Sequence, residues 1–210
     1  MRQTPSSTAD SLRNDMPTLG CILMASGEGR RYGGNKLLAS FQGLSLIGRT
    51  LSATDTDLFF KRIVVTRYRE IAGICQDAGI EVVLHNQPHR NDTVRIGLER
   101  LGDPTDGCMF CPCDQPLLSK ATVEALAHAF LERPGGICRL SWQNTPGSPS
   151  IFPKAYFAAL KALPQGKGGS YVIRSSGAEV RYVEAASAWE LKDVDTMEDL
   201  KLLESRCTAQ

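Results

Sequence analysis

The chain has 210 residues, of which 42% are hydrophobic, and this is enough to bury one substantial core in a single domain. Its 24 Lys and Arg residues balance 23 Asp and Glu residues, which excludes a surface built for nucleic acid or anionic membranes and makes any anion site local. No apolar run approaches the roughly 20 residues that span a bilayer, and the polar residues 1–17 contain no apolar core of signal-peptide length. These features predict a cytoplasmic protein with no nucleic-acid or membrane partner, in which residues 1–17 form a flexible N-terminal tail.

Short apolar runs alternate with helical patterns over the first two thirds of the chain. The run at 20–25 predicts a strand, followed at once by glycines and a helix-like region near 36–38. Further strands are predicted at 62–66, 80–84 and 108–111, and helices at 68–78, 92–101 and 119–131. This alternation predicts a three-layer α/β/α domain with a mostly parallel, Rossmann-like sheet, whose ligands lie outside the carboxyl ends of the strands.

The first strand leads into the glycine-rich loop 26–36, with the sequence SGEGRRYGGNK. Its glycines are Gly27, Gly29, Gly33 and Gly34. At such positions backbone N–H groups approach phosphate oxygens without obstruction from side chains, and Arg31 and Lys36 add positive charge. The loop therefore predicts a phosphate-binding site. The alternative is an ordinary glycine-rich turn with solvated basic residues.

Two well-known phosphate motifs do not fit this loop. A Walker A loop requires Lys directly after the last glycine, but Asn35 intervenes before Lys36. A dinucleotide-binding fingerprint requires a third glycine where Tyr32 stands. The pattern that fits is GxGxRxGxxK directly after a buried strand.

Two later segments place carboxylates at strand ends. Asp114, in CPCDQPLL over 111–118, ends a buried strand and faces the expected ligand edge, the alternative being a turn aspartate. Asp193 and Asp195 alternate along the extended segment that precedes a helix near residue 197, so only one of them faces the site. The alternative for Asp195 or Thr196 is that it merely caps this helix.

The seven cysteines and the paired histidines have structural interpretations. An odd number of cysteines in a chain of this size indicates a reducing compartment. Cys108, Cys111 and Cys113 have a spacing that suits a soft metal, but no second cysteine pair follows, so we expect them to pack in the core. His85 and His89 are four residues apart, yet Pro88 between them argues against a shared helix face and favours loop or surface histidines.

Beyond residue 135 the pattern loosens. Pro146, Gly147 and Pro149 interrupt residues 142–152, and the glycine-rich segment 166–169 follows, so both segments are expected to be irregular or flexible.

Taken together, GxGxRxGxxK, CDQPLL and KDVDTMEDL resemble the motifs of the MobA-like NTP transferase family, within the GT-A-like nucleotidyltransferases. The resemblance extends over residues 20–203 and is strongest to the molybdenum cofactor cytidylyltransferase branch. Met197 stands where the family usually has proline, and Ser148 where its GxP element often has histidine. The resemblance implies a single domain over 18–210, with a nucleotide-binding half (18–118) and an acceptor-binding half (119–210).

The resemblance also implies a set of site residues. The nucleotide would be bound by Ala25, Ser26, Gly27, Gly29, Arg31, Gly33, Lys36, Thr93 and Arg95. Arg31, Lys36 and Asp114 would be catalytic, and Mg²⁺ would be held by Asp114 and Asp195, with Asp193 as the alternative to Asp195. The acceptor would contact Gly147, Ser148, Pro149 and Lys167.

The implied reaction is transfer of CMP from CTP to the phosphate of molybdopterin, with release of pyrophosphate. Transient contact with a molybdoenzyme or its chaperone would follow from that role. A sugar phosphate or another small phosphorylated acceptor would use the same nucleotide half. A protein of a different class, which binds nucleotide or cofactor and delivers it without catalysis, is the remaining alternative.

Overall fold

The computed structural model describes residues 17–102 and 105–207, so the predicted tail lies, apart from Pro17, outside the described residues. In chain order the strands are β1 (Leu19–Ala25), β2 (Ser40–Phe41), β3 (Leu44–Ser45), β4 (Lys61–Thr66), β5 (Glu81–Leu84), β6 (Gly107–Pro112), β7 (Ile137–Trp142), β8 (Thr145–Pro153) and β9 (Val180–Glu184). β2 and β3 pair with each other, and the remaining strands form one sheet in the order β5, β4, β1, β6, β8, β7, β9.

Helices cover both faces of this sheet. They are α1 (Leu46–Ala53), α2 (Arg69–Asp77), α3 (Arg90–Leu101), α4 (Lys120–Glu132), α5 (Phe157–Lys161), α6 (Gly169–Ser176) and α7 (Met197–Cys207). Short 3₁₀ helices span Lys36–Leu38, Lys154–Tyr156 and Ala188–Leu191. One core cluster packs α1, α2, α4 and α7 against the sheet, and a second packs α3, α5 and α6 against the opposite face. The predicted three-layer α/β/α architecture is confirmed.

The sheet is mostly parallel, as predicted. β1 pairs in parallel with β4 and β6, β4 pairs in parallel with β5, and β7 pairs in parallel with β9. Buried strands of this kind feed both cores: Leu23 of β1 packs in one cluster and its neighbour Ile22 in the other. Within the described part of the sheet, β8 alone runs antiparallel to its neighbours, β6 and β7.

The expected irregularity over residues 142–152 is wrong, because nearly all of this segment belongs to β8. Proline and glycine in a strand interior give the composition of a loop, which concealed the strand. The structure accommodates them by a shift in the β7–β8 register between Arg139 and Ser141 and by a cis peptide bond between Ser148 and Pro149. In the segment 166–169, the irregular backbone ends at Gly169, which begins α6.

Side-chain caps define the ends of several helices. Ser119 begins α4 as predicted, because its Oγ accepts a hydrogen bond from the backbone N–H of Thr122 at 3.2 Å. α3 begins at Arg90, two residues before the predicted start, because the Asp92 carboxylate accepts a hydrogen bond from the backbone N–H of His89 at 3.3 Å. In the described ranges, no helix is both long and apolar enough to cross a membrane.

Gly107 at the start of β6 provides a test of core packing. A Cβ added there would lie 2.2 Å from Cζ of Phe130, whose side chain is fully buried. We expect Gly107→Ala to lower the free energy of unfolding by about 1–3 kcal/mol through overpacking. The measurement is the midpoint of urea denaturation at unchanged slope.

Gly73→Ala is the matched control for this substitution. Gly73 lies in α2 with nothing within 4 Å of an added Cβ. The same methyl group should there raise stability by up to about 1 kcal/mol, through helix propensity alone. Equal midpoints for Gly107→Ala and Gly73→Ala would contradict the packing interpretation.

Candidate functional site

A cavity of about 520 Å³ opens at the carboxyl edge of the sheet, where the expected ligand site lies. Its wall combines the loop after β1, the end of β6 with Asp114 just beyond it, the start of α3 and the segment before α7. Its lining includes Ser26, Arg31, Lys36, Arg90, Thr93, Asp114, Ser148, Asp193 and Asp195. The structure therefore brings the carboxylates and the glycine loop together in one cavity.

The loop after β1 has a backbone that requires glycine. Gly29 has a φ of +58°, and an added Cβ would lie 2.2 Å from the carbonyl oxygen of Gly34. The Gly29 carbonyl accepts hydrogen bonds from the N–H groups of Tyr32, at 2.9 Å, and Gly33, at 3.2 Å. This tight turn returns the chain towards the cavity before Lys36.

Lys36 is the central positive charge of the site. Its Nζ donates hydrogen bonds to Oδ2 of Asp114 at 2.8 Å and to Oδ1 of Asp195 at 3.1 Å, and the residue is only 8% exposed. Burial alone would lower the pKa of Lys36, but the attraction of the two carboxylates outweighs it and the pKa is raised. The ammonium group therefore stays charged at neutral pH.

Arg31 and Asn35 complete the loop. Nη2 of Arg31 donates to Oδ2 of Asp195 at 2.8 Å, so Asp195 lies between two cations. Asn35, the residue that breaks the Walker A pattern, caps the 3₁₀ helix at Lys36–Leu38: its Oδ1 accepts from the backbone N–H of Leu37 at 3.2 Å. This short helix fixes the direction of the Lys36 side chain.

The segment before α7 is attached directly to the end of β6. The backbone N–H of Val194 donates to the carbonyl oxygen of Asp114 at 2.8 Å. Nε2 of Gln115 donates to Oδ1 of Asp193 at 2.9 Å and to the carbonyl oxygen of Leu191 at 3.3 Å. These contacts align the carboxylates of the two segments along the cavity wall.

Capping of α7 does not use the Asp195 side chain. Oδ2 of Asp199 accepts hydrogen bonds from the backbone N–H groups of Asp195, at 3.1 Å, and Thr196, at 2.9 Å. Oγ1 of Thr196 in turn accepts from the backbone N–H of Asp199 at 3.1 Å. Thr196 and Asp199 cap the helix, and the Asp195 carboxylate is left to face Lys36 and Arg31.

The chemistry of this donor set fits a hard divalent cation. Oδ1 of Asp114 is buried and has no hydrogen-bond partner, so the carboxylate retains an unused acceptor atom. Among the residues that the structure describes, no three or more His, Cys, Asp or Glu side chains are grouped to enclose a metal ion. Asp114 and Asp195 could therefore hold a cation that completes its coordination with other oxygens, such as those of phosphates.

Ser26 and His85 form a contact that sequence reasoning missed. Oγ of Ser26 lies 2.8 Å from Nε2 of His85 and 3.0 Å from the carbonyl oxygen of Val65. Nδ1 of His85 accepts from the backbone N–H of Gln87, so Nε2 carries the proton and donates to Ser26. Burial, together with the positive charge of Arg67, lowers the pKa of His85, so the ring is neutral at pH 7. Both His85 and His89 precede α3, as loop residues.

Of the two predicted nucleotide contacts on α3, one lines the cavity. Thr93 does, and its buried Oγ1 has no hydrogen-bond partner. Arg95 is not among the lining residues, and its guanidinium pairs with Glu99 at 3.1 Å and Asp92 at 3.6 Å. Arg90, which sequence reasoning passed over, lines the cavity instead. Its position at the first turn of α3 was the available signal.

The predicted nucleotide residues Ala25 and Gly33 lie beside the cavity and do not line it. Ala25 is fully buried at the end of β1, and its carbonyl accepts a hydrogen bond from Oγ1 of Thr66 at 3.0 Å. Gly33 has a φ of +84° and shapes the turn of the loop. Both residues act on the site through the backbone that they set.

Of the four predicted acceptor residues, one lines the cavity and three do not. Ser148 lines the cavity. Gly147 packs closely on the 3₁₀ helix Ala188–Leu191, since an added Cβ would lie 2.7 Å from Leu191. Pro149 is buried in β8, and Lys167 is exposed and does not line the cavity. Ser148 is thus the member of this set placed to touch a ligand in the cavity.

The cysteines are core residues. Cys108, Cys111 and Cys113 are free and fully or almost fully buried, and burial raises the pKa of each thiol well above its usual range. The predicted packing role is confirmed for these three side chains.

Asp193 makes the stability of the site dependent on pH. It lines the cavity together with Asp195, so the expectation that only one of the two faces the site is wrong. Loss of hydration and the negative charge of Asp114 raise the pKa of Asp193. The charged form is therefore disfavoured in the folded state above that raised pKa, and the penalty vanishes below about 3.8, the usual pKa of an aspartate, where the side chain is protonated in both states. We expect Asp193→Asn, which keeps the acceptor for Gln115, to raise the free energy of unfolding at pH 7 by less than about 1 kcal/mol.

The measurement is urea denaturation of both proteins from pH 7 down to pH 3.5. The gain should shrink as the pH falls. The exposed Asp57, which does not line the cavity, provides the control variant Asp57→Asn. A gain that is independent of pH would contradict the raised pKa of Asp193.

Comparison with known proteins identifies the family of the chain. The family model described as the MobA-like NTP transferase domain matches residues 21–181, and this range ends before Asp193 and Asp195. No curated protein matches the chain significantly.

Several solved structures share the fold. Rv0371c from Mycobacterium tuberculosis H37Rv aligns with a TM-score of 0.78 and 23% identity, over 90% of this chain and 98% of that one, and a second structure of Rv0371c is a complex with manganese. Molybdopterin-guanine dinucleotide biosynthesis protein A from Archaeoglobus fulgidus has a TM-score of 0.69 and 18% identity, over 91% and 100% of the two chains. CMP:2-keto-3-deoxy-manno-octonic acid synthetase, complexed with CTP, has a TM-score of 0.75 and 13% identity, over 91% and 99%. Because the family model covers well over half of its residues, the chain belongs to the MobA-like NTP transferase family and is a nucleotidyltransferase.

Proposed function

We propose that the protein transfers the nucleotidyl group of a nucleoside triphosphate to the phosphate of a small acceptor in a Mg²⁺-dependent reaction, with CTP and molybdopterin as the substrates. The observation that supports this most directly is the Lys36 ammonium group, which contacts both Asp114 and Asp195 next to a glycine loop. A cation between two carboxylates beside a phosphate-binding turn suits a site that must balance the charge of a triphosphate.

The chemistry requires no covalent intermediate. An oxygen of the acceptor phosphate attacks the α-phosphorus of the triphosphate, and the bond from that phosphorus to the bridging oxygen of the β-phosphate breaks. Pyrophosphate leaves with the electron pair. Because the acceptor is already a nucleophile, the residues of the chain act by positioning and by neutralising charge.

Lys36 and Arg31 would hold the triphosphate. Both cations pair with Asp195, and phosphate oxygens of the triphosphate would take the place of these carboxylate partners. The backbone N–H groups around Gly27 and Gly29 would contact the phosphates, since no side chains stand in the way.

Asp114 and Asp195 would hold Mg²⁺, and the unpartnered Oδ1 of Asp114 is an available ligand atom. The bound ion would neutralise charge on the transferring phosphoryl group. The manganese complex of Rv0371c supports a divalent cation in this fold. Asp193 is the alternative ligand, but the structure directs Asp195 rather than Asp193 towards Lys36 and Arg31.

CTP and molybdopterin are supported by different observations. The loop sequence is similar to the cytidylyl branch, and a synthetase of the same fold has been solved with CTP. The relative from Archaeoglobus fulgidus is a molybdopterin-guanine dinucleotide biosynthesis protein, which supports molybdopterin as the acceptor. A sugar phosphate is the alternative acceptor, since it would require the same nucleotide-binding half of the domain.

Pyrophosphate release tests the substrates directly. Each of the four ribonucleoside triphosphates is incubated with Mg²⁺ and with no acceptor, molybdopterin or a sugar phosphate, and the series is repeated with EDTA. We expect release with CTP only when molybdopterin and Mg²⁺ are present. Release that requires a sugar phosphate would overturn the molybdopterin assignment, and nucleotide binding without any release would support a non-catalytic delivery protein.

Replacement of Lys36 tests the catalytic assignment. Lys36→Ala should reduce turnover by about 10²–10³-fold, because the triphosphate loses a pre-positioned charge, while the circular dichroism spectrum stays unchanged. Lys201→Ala, which removes an exposed charge from α7, is the control and should retain activity. Near-normal turnover of Lys36→Ala would refute the proposed role.

A further inference from the structure

A second, smaller cavity of about 40 Å³ lies next to the main one and shares part of its wall. Met24, Arg90, Pro112 and Ser148 line both cavities. A water molecule needs about 10–15 Å³, so this volume has room for a group of only a few heavy atoms. The small cavity is therefore a side pocket of the main cavity rather than a separate site for a large ligand.

Two arginines dominate the polar wall of this side pocket. Arg90 comes from the first turn of α3 and Arg139 from β7. Within the described ranges, neither guanidinium has a carboxylate at ion-pair distance, whereas Arg95 and Arg100 of the same helix α3 both pair with glutamates. Positive charge without an acidic partner is costly where hydration is restricted, so it indicates that an anion completes the pocket.

A backbone hydrogen bond fixes the position of Arg139, and no carboxylate of the described residues forms an ion pair with it. Its Nε donates to the carbonyl oxygen of Gly147 at 2.7 Å, which leaves the terminal nitrogens for a ligand. Burial lowers the pKa of Arg139; Tyr182 opposes this shift, and the positive charges of Arg174 and Arg90 add to it. The two arginines that line the pocket therefore repel each other electrostatically.

The rest of the wall is partly apolar, with Val94, Phe110, Phe152 and Leu160 among its residues, and partly polar. Ser148, Ser150 and Ser170 line the pocket, and Gly169 begins α6, whose positive helix end lies there. An added Cβ at Gly168 would lie 3.3 Å from Nε of Arg90, so the guanidinium lies against bare backbone at this helix start.

We propose that Arg90 and Arg139 form an oxyanion subsite that binds the phosphate of the acceptor. The acceptor would then be a phosphate monoester. Two guanidinium groups would hold its phosphate, and each can donate two parallel hydrogen bonds. This part of the inference rests on the proposed nucleotidyl transfer. Arg90 lines both cavities, so a phosphate held there lies at the junction with the nucleotide site.

Inorganic phosphate is the probe for this subsite, because its binding does not depend on catalysis. Calorimetric titration of the intact protein should show that Arg90→Gln and Arg139→Gln each weaken phosphate binding by about tenfold or more. Arg139→Lys keeps the charge but loses the forked donor, and an intermediate affinity is expected. Circular dichroism establishes that each variant is folded.

Arg100→Gln is the matched control. Arg100 lies on the same helix, about 15 Å from Arg90 along the axis, and pairs with Glu81. It should bind phosphate as the wild type does. Wild-type phosphate affinity in both Arg90→Gln and Arg139→Gln would overturn the subsite. The subsite would also be overturned if Lys36→Ala were the one variant that lost phosphate binding, because the anion would then lie in the glycine loop.

Kinetics separate this inference from the proposed function. With an acceptor that supports pyrophosphate release, Arg139→Gln should raise KM for the acceptor by about tenfold and leave KM for the nucleotide unchanged. Phosphate binding that depends on Arg90 and Arg139, without pyrophosphate release for any acceptor, would refute the proposed function and retain the subsite. Unchanged KM for the acceptor and unchanged phosphate affinity in both variants, with normal pyrophosphate release, would refute the subsite and retain the function.

Discussion

The ion pairs of Lys36 with Asp114 and Asp195 are the interaction on which the rest of the site depends. The partners are 78 and 159 residues away along the chain, so one ammonium group joins the glycine loop, the end of β6 and the segment before α7. A buried charge is stable only when it is paired, and Lys36 is 8% exposed. The loop can place its lysine there only if both distant carboxylates are in position, which couples formation of the site to completion of the fold.

The segment before α7 is held by polar contacts as well as by packing. Glu190 is buried, and its carboxylate accepts hydrogen bonds from the backbone N–H groups of Ser119 and Ala186 and from Oγ1 of Thr122. This carboxylate joins the start of α4 to the 3₁₀ helix Ala188–Leu191. The segment therefore enters the site from an anchored position, although it lies beyond residues 21–181, which the family model covers.

The charged side chains around the site form two adjoining groups, in a protein whose total charge is only +1. In the main cavity Asp114, Asp193 and Asp195 lie beside Lys36 and Arg31, and the side pocket presents Arg90 and Arg139. The first environment would suit the proposed metal-bound triphosphate, and the second would suit the proposed anionic acceptor. The balanced composition predicted that any anion site would be local, and the structure places both groups of charged side chains beside one another.

The sequence by itself determined the βα alternation, the glycine loop with Lys36, and Asp114 at a strand end, because hydrophobic periodicity and turn chemistry act over short distances. It did not reveal β8, where prolines imitate a loop. Arg90 and Arg95 are five positions apart, about 140° around a helix, so only packing of α3 decided that Arg90 faces the cavity. The tertiary structure alone also directed Asp195 rather than Asp193 towards Lys36, and placed Arg139 beside Arg90, since contacts between distant segments depend on how the layers pack and leave no local pattern.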